Sequence, residues 1–270
     1  MNKSVLKLGF IGCGKMASAI IKGILGSCSA KNFEIIGSEV NTEIAQLASD
    51  RLGIEVISDN MELAKRVDVL LIATKPMYVL NVLEEIKPVF SADKLLISIA
   101  AGVSTSKINS VLPQHRAVRV MPNTPALLGL GMAGVTKGLL ATDEDAEFVL
   151  DLMSTVGKAI LVEEKQMDII TAISGSGPAF FYQVIEDMAR AGEKLGLDYE
   201  KSLLLATQTA LGSAKMVENR GELTVQNLID NVATKGGCTF VGITTMKEEK
   251  SDKMFEKVIA DTTKKASELG

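Results

Sequence analysis

The sequence predicts an α/β N-terminal domain with a doubly wound, mostly parallel sheet, followed by an all-α C-terminal domain. Three observations carry that expectation. An apolar run from Val5 to Ile11 meets Gly12, Gly14 and Ala17 in the spacing G-x-G-x-x-A, and an apolar-periodic helix with Met16, Ile20 and Ile24 follows at once. Apolar strands then alternate with helical stretches to about residue 163, as crossover connections in a parallel sheet require. Beyond that point the texture changes. The sixth and last proline is Pro178, and helix formers at 3.6-residue spacing dominate to the end. The domains therefore read as 1–163, Rossmann-like, and 164–270, helical.

The first strand, turn and helix form a dinucleotide-binding pattern. Gly12 permits the tight turn, Gly14 lets backbone approach a pyrophosphate, and Ala17 is small enough for the helix to pack on the strand. The helix start adds free N–H groups and partial positive charge. Glycines also make ordinary turns, but this one opens a βαβ series, which favours the dinucleotide.

Composition narrows the function classes. The chain has 270 residues, 47% apolar and 23% charged, as in ordinary globular proteins, with enough length for two domains. A net charge of −4 gives no electrostatic footprint for nucleic acid or an anionic membrane. The uncharged run Ser202–Ala214 is too short to span a bilayer, and no cleavable apolar leader precedes the first strand, so a cytoplasmic protein is expected. Cys13, Cys28 and Cys238 are odd in number and widely spaced, which gives neither a disulfide framework nor a metal pattern. His115 is the single histidine.

Further strands are expected at 33–37, 54–57, 67–73, 94–99 and 117–120, with a helix at 42–52 ending at Gly53. The stretch 67–73 is nearly all apolar, as a strand covered on both faces should be. The strands end in Ser38-Glu39, Thr74-Lys75-Pro76, Ala100-Ala101-Gly102 and Met121-Pro122-Asn123-Thr124-Pro125. Ligands of such sheets lie beyond the carboxyl ends of the strands, so these segments should share a crevice with the glycine turn. The segment 131–137, a helix at 143–153 and the segment 158–162 finish the domain.

In the second domain Pro178 fits the first turn of a helix carrying Phe181, Val184, Ile185 and Met188 on one face. The next helix, 200–218, holds the uncharged run. A helix buried on all sides in so small a domain should be covered partly by another chain, so a homodimer is expected. Ser174-Gly175-Ser176-Gly177-Pro178 and Thr234-Lys235-Gly236-Gly237-Cys238-Thr239 each read either as a helix connection or as a turn presenting backbone N–H groups to an anion such as a carboxylate.

At these residues the chain resembles the pyrroline-5-carboxylate reductase family, the last enzymes of proline biosynthesis, over essentially its whole length. The matching stretches are Gly9 to Ala17, Ala73-Thr74-Lys75-Pro76, Ser98 to Val103, Met121 to Ala126, Ser174 to Phe180, Gly212 to Met216 and Ser267-Glu268-Leu269. The first is shared by many NAD(P) enzymes. Met-Pro-Asn-Thr-Pro together with Ser-Gly-Ser-Gly-Pro-Ala is highly specific.

The resemblance implies NADPH or NADH as cofactor, with Gly12, Gly14, Lys15 and Met16 at the pyrophosphate, Ser38 and Asn60 near the adenosine ribose, and Ala73, Lys75, Pro76, Ala100 and Asn123 at the ribose and nicotinamide. It implies a substrate carboxylate held by the loop 234–239. Gly237 and Cys238 would offer N–H groups, Gly236 the turn, Thr234 a hydroxyl, and Thr239 a hydroxyl to the ring nitrogen. Family members are dimers through interleaved C-terminal helices, often assembled into larger rings. The chain departs from the family pattern where Thr234 replaces serine, Lys235 replaces proline, and Thr224-Val225-Gln226 replaces an upstream His-Pro-Gly.

The implied substrate suits a chain with one histidine. Reducing a ketone calls for a general acid at the forming alkoxide. A protonated cyclic imine already carries positive charge beside the accepting carbon, so hydride transfer neutralises charge and needs alignment and a hydrogen-bond partner at nitrogen. Thr239 is the candidate partner, with Glu222 a second candidate for proton traffic or a solvated charge after Gly221. A β-hydroxyacid-type dehydrogenase would instead need a catalytic lysine on a second-domain helix. None is found in the required glycine setting, Lys194 being the residue to exclude. A third alternative is a reductase-like protein without catalysis, of which the Thr234-Lys235 departures would be the first symptom.

Glu39 closes the second strand where a carboxylate bonds the ribose hydroxyls of NADH and repels the extra phosphate of NADPH. Ser38 and Asn41 are the alternative phosphate ligands, and no arginine stands beside them in the sequence. NADH should therefore be used at least competitively. A kcat/KM for NADPH more than about a hundredfold above that for NADH, worth nearly 3 kcal/mol, would overturn this role for Glu39.

Overall fold

The computed structural model describes residues 5–269. The first strands and helices are β1 (Leu6–Ile11), α1 (Lys15–Leu25), β2 (Phe33–Ser38), α2 (Thr42–Leu52), β3 (Glu55–Ile57), α3 (Asn60–Arg66), β4 (Val69–Ile72), α4 (Pro76–Ile86), β5 (Leu95–Ser98), α5 (Thr105–Val111) and β6 (Arg116–Met121). Then come β7 (Gly131–Lys137), α6 (Asp143–Ser154), β8 (Gly157–Leu161) and α7 (Met167–Ile170). Five long helical segments follow: α8 (Gly177–Lys194), α9 (Tyr199–Glu218), α10 (Val225–Val232), α11 (Cys238–Glu248) and α12 (Ser251–Leu269).

The eight strands form one sheet in the order β3-β2-β1-β4-β5-β6-β7-β8. Every neighbouring pair is parallel except β6 with β7. The chain winds outward through β2 and β3, then crosses β1 to continue at β4, so the order reverses between β1 and β4. That reversal opens a crevice at the carboxyl end of β1. The side-chain period of two sorts the core onto both faces. Leu8, Phe10, Leu71 and Ile97 join one apolar cluster, while Ile11, Leu70, Ile72 and Leu96 join the other.

Local chemistry explains the helix ends. Asn41 caps α2 by accepting from the N–H groups of Glu43 and Ile44 at 2.9 and 3.0 Å, and Gly53 ends it in the left-handed region at φ +67°. Thr142 and Asp145 form a reciprocal capping box on α6. His115 precedes β6, at the amino ends of the parallel strands. It is buried, stacked on Phe90, with Nε2 against the Phe90 carbonyl oxygen at 2.7 Å. It packs the core far along the strands from their carboxyl ends.

The described residues fall into two compact units, the chain through Ser176 with that from Thr262 onward, and Gly177–Asp261. This division lies later than the sequence boundary at 163, because 164–176 have helical periodicity yet pack on the sheet. A Cβ on Gly134 would meet Ile170, and one on Gly175 would meet the Met121 side chain. The segment Ser174-Gly175-Ser176 is also no turn, contrary to the sequence expectation. Thr171–Gly175 is π-helical, and the Ser176 N–H donates to the Thr171 oxygen at 2.8 Å. The Ser176 amide is thus spent inside that turn.

The uncharged run in α9 is not enclosed by its own chain. Only Ser202 and Ala206 are buried there, while Leu204, Leu205, Leu211 and Met216 are exposed. An apolar surface of this kind marks an interaction face. No helix among the described residues is long and apolar enough to cross a membrane.

Gly157 is the tightest backbone approach in the sheet. Its φ is +152°, and a Cβ there would fall 2.0 Å from the Gly131 oxygen. Gly157→Ala should cost about 3 kcal/mol or more, against about 1 kcal/mol for Gly53→Ala, whose left-handed cap faces open space. Denaturant midpoints of the two variants check this, and equal midpoints would contradict it.

Candidate active site

β1 delivers the chain into a turn held from both sides. The Gly12 N–H donates to the Ser38 oxygen at 2.9 Å, and at φ +90° a Cβ on Gly12 would lie 3.0 Å from the Ala73 oxygen. Only glycine fits there. Gly14 then serves as N-cap of α1 with extended backbone and no side-chain cap. The first N–H groups of α1, on Lys15, Met16 and Ala17, have no intrahelical acceptor. Lys15 is exposed, Met16 half-buried and Ala17 buried.

The ends of β2 and α3 meet beside this turn. The Ser38 hydroxyl donates to Asn60 Oδ1 at 2.7 Å, and Asn60 Nδ2 donates to Glu85 Oε2 at 3.0 Å. Both Ser38 and Asn60 are buried. The structure therefore brings these two predicted residues together, with the Ser38 hydroxyl committed to Asn60. Glu39 reaches back to the turn, where its Oε1 accepts from the Cys13 N–H at 2.6 Å.

Arg51 was missed by the sequence reading. Its Nη2 donates to the Cys13 oxygen at 2.6 Å, so an arginine does stand at this edge. The contact spans 38 residues and leaves no local signal. Cys13 lies between the two charges, and its thiol is pushed up from 9.0 to about 12, mainly by burial and then by the Glu39 carboxylate, with Arg51 opposing. The thiol stays protonated in the folded chain at neutral pH, so the low-pKa nucleophile that cysteine chemistry needs is absent here.

The loops after β4, β5 and β6 complete this end of the sheet. Ala73 is half-buried, Lys75 is the exposed N-cap of α4, and Pro76 occupies its first turn, where a missing N–H costs nothing. The Thr74 hydroxyl is buried without a partner. Ala100 is buried, its N–H 3.4 Å from Ser98 Oγ. The Asn123 side chain is engaged on both sides. Its Nδ2 donates to the Ser174 oxygen at 3.1 Å, and its Oδ1 accepts from the Met132 N–H at 2.9 Å. As placed, this amide ties the loop after β6 to the π-turn.

The second unit holds the other predicted group. The Gly237 N–H donates to the Thr234 oxygen at 2.9 Å, closing a turn whose third residue, Gly236, has φ +81°. Gly237 therefore spends the N–H that the resemblance assigned to a carboxylate. As N-cap of α11 it leaves the N–H groups of Cys238, Thr239 and Phe240 as the unpaired donors of the helix start. Thr234, Lys235 and Cys238 are exposed and Thr239 half-buried. Glu222 is exposed in the turn before α10, and Lys194 is exposed at the end of α8. Among the described residues no group of three or more His, Cys, Asp or Glu side chains is placed to hold a metal ion.

The glycine turn can be tested for fit to a dinucleotide. A Cβ on Gly14 would meet nothing within 4 Å, so the fold itself does not demand glycine there. Absence of a side chain at an exposed helix start is what close approach of a pyrophosphate requires. The unpartnered Thr74 hydroxyl at the neighbouring strand end supplies a further polar atom awaiting a partner. Gly14→Ala should therefore cost less than about 1 kcal/mol of stability yet weaken dinucleotide binding at least about tenfold by steric exclusion. Thermal melts and calorimetric titration of the same variant check both halves, and unchanged binding would contradict the cradle.

Comparison with known proteins bears on the family. Residues 164–269 match the family model for pyrroline-5-carboxylate reductase dimerisation, and residues 7–102 match that for coenzyme F420-dependent NADP oxidoreductases. A pyrroline-5-carboxylate reductase of Methanosarcina acetivorans is 38% identical, over 98% of both chains. The structure of a pyrroline-5-carboxylate reductase from Coxiella burnetii superposes with a TM-score of 0.92 at 32% identity, covering 100% of this chain and 99% of that one. A Plasmodium falciparum pyrroline carboxylate reductase solved with NADP bound gives 0.84 at 33% identity, covering 98% of each. The chain belongs to the pyrroline-5-carboxylate reductase family.

Proposed function

We propose that the chain reduces 1-pyrroline-5-carboxylate to L-proline with a hydride from NADPH or NADH. One observation carries the choice of chemistry. The single imidazole is buried at the amino ends of the strands, while α11 begins with unpaired amides and the hydroxyl of Thr239. Such a set binds a carboxylate and touches a ring nitrogen but lacks a strong acid. A protonated imine needs none.

When bound, the reduced nicotinamide supplies the hydride. The first unit's part is to bind and orient it through Gly12, Gly14, Lys15 and Met16 at the pyrophosphate, with Ser38, Glu39 and Asn60 at the adenosine ribose. Ala73, Lys75, Pro76, Ala100 and Asn123 serve the nicotinamide side. In the second unit Cys238 and Thr239 receive the substrate carboxylate on their N–H groups, and the Thr234 hydroxyl adds a third contact. Gly236 and Gly237 shape the turn. As hydride adds to the ring carbon, the C=N electron pair moves onto nitrogen and the positive charge there is lost. The Thr239 hydroxyl holds that nitrogen in register, and Glu222 conducts protons to and from it. The net charge is conserved and no alkoxide forms that would need an acid, so positioning is the main contribution.

The exposed apolar residues of α9 support a homodimer through the second unit, and larger assemblies would be built from such dimers. A cytoplasmic location is part of the same proposal.

Steady-state oxidation of NADPH and NADH with 1-pyrroline-5-carboxylate is the test. Wild-type enzyme should turn over the imine and leave β-hydroxyacids untouched. Thr239→Ala should lower kcat/KM between about tenfold and a hundredfold, and Thr239→Ser should retain most of it. No turnover of the imine with either dinucleotide would overturn the assignment.

A further inference from the structure

The adenosine-ribose end of the cradle carries two opposite charges on one residue. Glu39 Oε1 accepts from the Cys13 N–H, and Arg51 Nη2 donates to the Cys13 oxygen, each at 2.6 Å. The carboxylate and the guanidinium thus flank the same short strip of the glycine turn. Of the other groups that the sequence offered to a ribose phosphate, the Ser38 hydroxyl donates to Asn60, and Asn41, held by its Oδ1 as the cap of α2, has only a neutral amide to donate.

We propose that Arg51 receives the 2′-phosphate of NADPH, so that Glu39 and Arg51 together make one subsite that accepts either dinucleotide. This rests on the dinucleotide cradle described above. A guanidinium has five N–H donors in a planar fork, and one bond to the Cys13 oxygen leaves donors free for a phosphate. Glu39 alone would favour the ribose hydroxyls of NADH and repel a dianion. With Arg51 beside it the repulsion is offset, and the carboxylate still accepts from a free 2′-hydroxyl. Arg51 reaches this point from the last turn of α2, on a rigid element, and its bond to the loop already holds it at the turn. It is a specificity residue for the adenosine end, away from the reacting carbon.

Isothermal titration of the full chain with NADPH, NADH, 2′,5′-ADP and 5′-AMP at fixed ionic strength tests the proposal. Arg51→Ala should weaken NADPH and 2′,5′-ADP at least about tenfold while NADH and 5′-AMP move less than about twofold. Arg51→Lys should restore part of the loss. Equal weakening of all four ligands would show that Arg51 only anchors the Cys13 carbonyl and would overturn the proposal, as would unchanged NADPH binding. Should Arg51→Ala fail to fold in a thermal melt, Arg51→Gln decides, since it keeps a donor for the Cys13 carbonyl without the charge. It should weaken NADPH relative to NADH about tenfold, and an unmoved ratio would overturn the proposal. Wild-type chain that binds neither dinucleotide would instead defeat the cradle itself.

Discussion

The cradle depends on the bond from the Gly12 N–H to the Ser38 oxygen, made while the same glycine lies against the Ala73 oxygen. This single residue ties the end of β1 to the ends of β2 and β4, the strands on either side of it. Because the sheet order reverses there, the strand ends diverge and backbone is exposed where other strand ends are covered. The turn can then point α1 at the crevice with its amides unpaired. A side chain at Gly12 would collide with Ala73 and demand a backbone angle that L residues rarely adopt. The position of α1 and the access of a phosphate to its start both follow from that one constraint.

A second level of order is built on Cys13, the residue between the two glycines. Its carbonyl accepts from Arg51, and its N–H is taken by Glu39. A glycine-rich loop is entropically costly to order. Here its one non-glycine residue is bonded at both ends and its thiol is buried, so the loop is set before any ligand arrives. Preorganisation of this kind lowers the cost of binding. It also explains why a cysteine is tolerated in the cradle. The surrounding apolar packing and the adjacent carboxylate keep its thiol protonated, and below about pH 9 neither the folded nor the unfolded chain holds it as thiolate.

The sheet was legible because each strand announces itself locally. The runs around Leu70 and Ile97 are apolar on both faces, and Gly53 ends α2 as expected. The features that stayed hidden are those that depend on distant partners. Ser174-Gly175-Ser176 has the composition of a turn, but Gly175 lies where a larger residue would strike Met121, and Ser174 is held by Asn123. Tertiary packing thus drives a Gly-Ser stretch into a π-helical turn against its propensity. Arg51 gave no signal for the same reason, since its partner is 38 residues away. The uncharged run of α9 was visible too, and the exposure of its apolar residues on the chain's own surface fits the expectation that another chain covers it in part.

The departure at Lys235 can be read from the turn that contains it. The Gly237-to-Thr234 bond makes Thr234 to Gly237 a four-residue turn, with Lys235 at the second position and Gly236 at the third with φ +81°. Positive φ at the third position is what a type II turn needs, and that demand is met by glycine. Proline at the second position would add stiffness, because its fixed φ matches this turn. Its replacement by lysine therefore leaves the folded geometry in place and costs chiefly through the greater freedom of the unfolded chain, on the order of 0.4–1 kcal/mol. The N–H groups of Cys238 and Thr239 are aimed by α11 and by Gly237 as its cap, neither of which involves residue 235. A helix start with free amides survives the loss of the proline because the glycines, and not the proline, determine where those amides point.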